Sequence, residues 1–467
     1  MRCQHLKLIA GLFVVVKLAL FLLAQSVVNQ YDTSSQLIFL DPARTSVPAQ
    51  ADDVFVTSTV GHSGRYTPGY FAPPQRKLHR AIAYVLARLT VWDTVFFTAI
   101  AERGYVYEQE YAFGWGWTSL IRVTGKYLIA PVLSAVAGIA PGAGGGVYEY
   151  AIAAVLIAHI GHFLMVVLVY HLAGILAPRL RIPVVSRPAF QLVTACMAVL
   201  SPAGIFLSAG YSESTFAALS FAAMILRERR FPVLAGLLFG LSCSLRGNGI
   251  LWGLIYLYDL YVAMRSYSIS GIISSVVGGS LIGFWFFSAQ YMAYLEFCPG
   301  RPWCDATIPL IFPFVQRHYW NNGFLRYWRT WQIPNFFFAA PTLTLFYRSC
   351  RRYWPIENMR PYVIVQAAMG FMALFFWHVQ IVTRIGSCMP LVFMYAAECI
   401  SRDAPLPSKE AQDAKVPAKG PQPGWLRRKL IHARDDFRAR EGRWIVRYSV
   451  TWILAQSLLF ASFIPPA

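Results

Sequence analysis

The chain has 467 residues, of which 57% are hydrophobic and 13% charged, with a formal net charge of +19. So few charges cannot solvate the surface of a water-soluble protein of this size, but they suit a chain solvated by lipid. The basic excess does not indicate a nucleic-acid partner, because Lys and Arg sit in short segments between apolar runs and form no stripe.

Residues 6–28 form an apolar run that follows Arg2 and Lys7. It is longer than a usual signal-peptide core and reads as an uncleaved anchor with a cytosolic N-terminus, the alternative being a signal cleaved near Ala24. Lys17 within it must either snorkel or face the interior of a bundle. Residues 30–126 are mostly polar, first rich in Pro, Ser and Thr, then denser in aromatic and acidic residues. Residues 128–140 are apolar, but Pro131 and Gly138 suggest a re-entrant or interfacial piece. Further apolar runs cover 148–176, 190–209, 215–226, 233–245, 250–263, 271–295, 334–347, 362–377, 385–400 and 448–463. With the anchor these predict an all-α polytopic membrane protein of about eleven transmembrane helices, several short enough to need tilting or partners. The expected organisation is an N-terminal anchor (1–29), a long first lumenal loop (30–147) and a multi-span bundle (148–400). A cytosolic basic linker (401–447) and a last transmembrane helix (448–467) complete it.

Counting crossings from a cytosolic N-terminus places Arg179, Arg181, Arg187, Arg227, Arg229, Arg230, Arg348, Arg351, Arg352 and the 401–447 segment in the cytosol. The same count sends the unusual polar clusters to the other side: Trp92-Asp93, Glu108 to Glu110, Tyr211 to Ser214, Arg246 to Gly249, residues 297–335 and His378 to Arg384. No internal repeat or inverted pair of broken helices marks a secondary transporter. Of 8 Cys, only Cys298 and Cys304 look pairable, and a lumenal disulfide or two free thiols are both open.

Several of these residues could do chemistry. Val91, Val95, Phe96, Ala99 and Ile100 approximate one face of a helix that has Asp93 near its start and Gly104 to end it. By spacing alone Asp93 is a first-turn acid. Residues 105–117 mix Glu108 and Glu110 with aromatics and glycines, which suits a sugar-binding surface or an interfacial aromatic belt. Arg246 and Arg384 lie at the ends of expected spans, where a guanidinium needs an anion, either a substrate phosphate or a lipid headgroup. Glu213, beside Tyr211, is a helix-start acid or an acceptor contact, and His378 and Gln380 are weaker candidates for the same pocket. Residues 297–335, with Trp303, Tyr319, Trp320, Tyr327, Trp328 and Trp331, read as a lid over an acceptor or an amphipathic helix in the interface.

Trp92-Asp93, Ala101 to Tyr105, Glu108 to Phe113, Ser201-Pro202-Ala203, Tyr211-Ser212-Glu213, Arg246 with Asn248-Gly249, and His378 to Gln380 with Thr383-Arg384 together resemble the PIG-V family. Residues 30–78 carry no part of the resemblance. It implies a GT-C-type glycosyltransferase of the endoplasmic reticulum membrane, a GPI mannosyltransferase with a lumenal active site. The activity implied is transfer of the second mannose, α-1,6, from dolichol-phosphate mannose to the GPI precursor. The resemblance assigns the catalytic carboxylate to Asp93, with Glu102, Glu108 and Glu110 as alternatives. It assigns substrate binding to Trp92, Glu102, Glu108, Glu110, Tyr211, Glu213, Arg246, Asn248, His378, Gln380 and Arg384. An α-mannoside made from a β-linked donor requires inversion, hence one general base, and the departing phosphate requires cationic donors. No DxD-like carboxylate pair occurs among these motifs, so neither metal nor cofactor is expected. In fungi the family also implies a small membrane partner subunit. The competing readings are a transporter, a non-catalytic scaffold for anchor assembly, or a transferase that uses the same donor on another acceptor.

Overall fold

The apolar periodicity of the chain is realised as helix throughout. A computed structural model describes residues 1–32, 34, 35, 39, 73–137, 147–401 and 425–464, with side chains for all of these except 73–80 and 425–439. Among the described residues there is no strand. The helices are α1 (Cys3–Ser26), α2 (Pro73–Leu89), α3 (Asp93–Arg103), α4 (Trp115–Thr124), α5 (Ala130–Ala137), α6 (Val147–Leu176), α7 (Arg187–Val199), α8 (Glu213–Glu228) and α9 (Pro232–Leu245). They continue with α10 (Gly253–Arg265), α11 (Ile269–Phe297), α12 (Ile311–His318), α13 (Ile333–Tyr353), α14 (Arg360–Phe375), α15 (Ile381–Ile385), α16 (Pro390–Ser401) and α17 (Trp425–Ala461).

Each of the eleven apolar runs overlaps at least one of these helices, although 190–209 continues past the end of α7 and 385–400 begins at the end of α15 and continues into α16. Among the described residues five stretches are long and apolar enough to cross a bilayer: Cys3–Ser26, Trp115–Val136, Val147–Leu176, Ile269–Phe297 and Arg440–Ala461. The rest are shorter; α9 has 14 residues and rises about 21 Å, less than a hydrocarbon core of about 30 Å. Such helices depend on neighbours, and small residues let them approach: a Cβ added to Gly236 of α9 would come within 2.5 Å of Gly278 in α11.

The bundle has two distinguishable ends. Helices α1 and α6 run antiparallel, with His5 bonded to Tyr170 at 3.0 Å near one end and the Phe13 and His162 rings 5.1 Å apart farther along. Lys17 faces the interior and does not snorkel: its Nζ donates to the Leu207 carbonyl and to Ser208 Oγ, both at 2.7 Å. Toward the other end Gly210 abuts Ala154 of α6 and Thr94 of α3, so the Asp93 turn and the start of α8 share a level.

Residues 30–147, expected as one loop, contain four of the helices. A π-turn (Gly125–Ile129) joins α4 to α5, so residues 128–137 of the apolar piece expected at 128–140 are the second half of a longer helix, and 138–140 lie outside the described residues. By length and composition that helix could span a membrane. Its contacts instead lay it across one end of the bundle. Gly114 and Gly116 at its start press on Leu245 and Ser244 at the end of α9, and Gly125 presses on Tyr150 at the start of α6. Both are ends that carry the Asp93 level.

The 297–335 segment is neither a free lid nor a single interfacial helix. A Cys298–Cys304 disulfide closes its first turn, α12 buries Ile311 and Val315, and the chain then returns across the Asp93 end.

Candidate active site

Asp93 owes its position to a broken helix. Helices α2 and α3 meet at 117° around residues 90–92, and Trp92 holds φ at 57°, a region unfavourable for a residue with a Cβ. The Tyr211 hydroxyl bridges that turn, accepting from the Asp93 backbone N–H at 3.2 Å and donating to the Val91 carbonyl at 3.1 Å. Gly104, at φ 96°, ends α3 by donating to the Ile100 carbonyl, the terminator role its sequence position suggests.

Four charged groups from four distant segments converge beside it. Both terminal nitrogens of Arg384 lie 3.3 Å from Asp93 Oδ2, and its Nε donates to Glu213 Oε1 at 2.6 Å. Arg246 forms an ion pair with the same Glu213 oxygen at 2.6 Å and donates to Asn248 Oδ1 at 3.3 Å. The Arg384 guanidinium also lies over the Phe206 and Tyr211 rings, at 4.6 and 4.9 Å. Glu213 sits at the start of α8, where the helix dipole adds to the two cations. Its side chain is 2% exposed, whereas that of Asp93 is 30% exposed. Asp93 can therefore meet a substrate, and Glu213 can act only through its arginines.

The exposed side of this cluster opens on a cavity of about 220 Å³. Asp93, Arg246, Asn248, His378 and Arg384 line it, joined by Phe97, Phe113, Gly114, Ser212, Gln316, Trp320, Asn322, Trp377 and Ile381. A smaller apolar recess walled by Trp115, Trp285 and Phe286 adjoins it through Ala112, Phe113, Gly247 and Phe312. His378 sits in the turn after α14, where Nε2 donates to the Trp320 carbonyl at 2.9 Å. Burial pushes its imidazole below the usual pKa, against the opposing pull of the Trp320 carbonyl and the Asp93 charge. It is a hydrogen-bond donor at the cavity wall.

The remaining candidates lie elsewhere. Glu110 is buried and takes Arg103 as a salt-bridge partner, with the backbone N–H of Val106 at 2.9 Å. Glu108 accepts from Trp303 Nε1 and, at 3.1 Å, from the Tyr319 hydroxyl. Gln380 accepts from Tyr327 at 2.6 Å, Trp92 packs against Phe463, and Glu102 is not on the cavity wall. Tyr211 supports the site from behind. Gln316 and Asn322 line the cavity without having been singled out in the sequence; the available signal was a polar Asn321-Asn322-Gly323 turn after an aromatic run, which marks a turn and no particular chemistry. Among the described residues no three His, Cys, Asp or Glu converge in a metal-binding group.

This arrangement can hold an anion against two guanidiniums while a partly exposed carboxylate takes a proton from a neighbouring hydroxyl. Comparison with known proteins agrees in kind. The family model described as Mannosyltransferase (PIG-V) matches residues 10–357 and 353–467. A GPI mannosyltransferase 2 of Yarrowia lipolytica is 34% identical over 465 residues, covering 99% of this chain and 100% of its own. The protein of that name in Candida albicans is 26% identical over 98% of both chains, and that of Gibberella zeae 29% identical over 81% of this chain and 86% of its own.

Proposed function

The chain belongs to the PIG-V mannosyltransferase family and is a glycosyltransferase, and we propose that it adds the second mannose of the GPI precursor, in α-1,6 linkage, from dolichol-phosphate mannose. The reaction takes place at the lumenal face of the endoplasmic reticulum membrane. The observation that supports this reading is the Asp93–Arg384 contact at 3.3 Å on the cavity wall, because a carboxylate there can serve as the base and a guanidinium beside it can bind a phosphate.

The donor phosphodiester brings one negative charge to a cluster whose two carboxylates and two guanidiniums otherwise cancel. Arg384 and Arg246 turn toward that phosphate while Glu213 holds them from behind. Arg384 thereby loosens from Asp93, and the freed carboxylate becomes a better base. The acceptor hydroxyl gives its proton to Asp93 as its oxygen attacks the anomeric carbon from the face opposite the phosphate. The C–O bond to dolichyl phosphate breaks, and the arginines take up the charge that develops on the leaving oxygen. One displacement converts a β-linked donor to an α-mannoside.

The decisive experiment replaces Asp93 by Asn in cells lacking their own activity. Transfer should fall by about 10²–10⁴, with a one-mannose GPI intermediate accumulating and the protein present at normal abundance. Normal mannolipids at equal abundance would overturn the assignment.

A further inference from the structure

The cavity has two chemically unlike walls. One part of the lining carries Asp93, Arg246 and Arg384, and another is supplied by the arm that leaves α11 and returns to α13. That arm contributes Phe312, Gln316, Trp320 and Asn322, with no charge among them. A phosphate has no counter-charge on this side.

The arm is fastened at several points. Glu108 accepts from both Trp303 and Tyr319, one donor on each side of α12. The Phe312 N–H donates to Gln290 on α11 at 2.9 Å, and His378 holds the Trp320 carbonyl. Gly323 and Leu325 donate to the carbonyls of Phe376 and Phe375 at 2.8 and 2.7 Å, and Tyr327 bonds Gln380. Yet two polar atoms on this anchored wall have no partner: Trp320 Nε1 and Asn322 Oδ1 are both buried without a hydrogen bond. Such groups are costly to leave unpaired, and at a cavity wall they point to a ligand that completes them. The Asn322 amide donates to Gln316 Oε1 at 2.5 Å, which leaves the Gln316 amino group to donate. A sugar hydroxyl, donor and acceptor at once, matches an indole N–H, an amide oxygen and an amide N–H together.

We propose that Gln316, Trp320 and Asn322 form the subsite that binds the neutral sugar of the acceptor, and that Glu108 is the positioning residue that fixes the arm over it. The proposal rests on the mannosyltransferase reading and adds to it the direction from which the acceptor approaches. The donor phosphate takes the charged wall, the acceptor hexose the amide and indole wall, and Asp93 stands where the two meet.

The test uses the full-length enzyme in microsomes, with radiolabelled dolichol-phosphate mannose and a synthetic mannosyl-glucosaminyl-phosphatidylinositol as acceptor. Asn322→Ala and Gln316→Ala should each raise the acceptor KM about tenfold or more, while the donor KM stays within about twofold. Glu108→Ala should raise the acceptor KM similarly, and Glu108→Gln, which keeps an acceptor oxygen, should restore much of it. Two variants on the arm guard against one failing to accumulate. An unchanged acceptor KM in both, or a donor KM that rises by the same factor, overturns the subsite while the enzyme reading stands. Wild-type enzyme that does not extend this acceptor overturns both.

Discussion

Two clusters in this molecule have nearly the same composition and opposite characters. At the Asp93 end, two arginines and two carboxylates meet beside Tyr211; at the other end Arg179, Arg227, Glu228 and Asp259 meet beside Tyr362. In the second cluster the charges saturate one another. Arg227 grips both oxygens of Asp259, with Nε at 2.8 Å, and adds Glu228 and Tyr362 at 3.2 Å, while Tyr362 donates to Glu228 at 2.6 Å. In the first cluster both arginines crowd onto one Glu213 oxygen, and Asp93 receives only two long contacts of 3.3 Å through a single oxygen. Ion pairs that complete each other fasten α8, α10 and α14 together; ion pairs left incomplete beside a cavity can exchange partners with a substrate.

That contrast can be broken or sharpened by substitution. The largest effect is expected from Arg384→Lys, which keeps the charge but loses the fork that reaches Asp93 and Glu213 together. The rate of transfer should fall by about 10²–10³, in microsomes where protein abundance is unchanged. A variant with normal turnover would mean that Arg384 is a fastener like Arg227. Next comes Arg227→Ala, which strands Asp259 and should cost about 3 kcal/mol of stability. The readout is a lower melting temperature in detergent, with KM for both substrates unchanged in the protein that survives. A shifted KM would show that the far cluster communicates with the site. The smallest effect is reserved for Glu357→Ala, since the Arg360–Glu357 pair is 3.8 Å long and Glu357 is 75% exposed. Stability should move by no more than about 0.5 kcal/mol, and a larger loss would mean that even exposed pairs at that end bear on the fold.

Much of the helical frame was legible in the chain. Hydropathy is a local property, so an apolar run such as 271–295 announces α11 without knowledge of its neighbours. Residues 115–137 were half legible for the same reason: the piece from 128 onward reads as re-entrant or interfacial, but apolar character alone does not choose between crossing the bundle and lying on its end. That choice depends on which surfaces meet Gly114 and Gly125. The site was legible as a set of residues and illegible as a set of roles. Glu108, Glu110 and Asp93 are equivalent acids by spacing, and only their partners separate a carboxylate that holds Trp303 and Tyr319, a salt-bridged turn and a partly exposed carboxylate on a cavity.

By itself, the order of residues determined the solvent this protein requires, the positions of its helices and the set of motifs that mark its family. All three depend on contiguous stretches of chain. The fold decided which acid faces the cavity, which arginines share a carboxylate, and that Gln316 and Asn322 line the same cavity. Asp93 and Arg384 lie 291 positions apart, and no local rule brings them together. Charge interactions fall with distance in space, and only the packed bundle sets that distance.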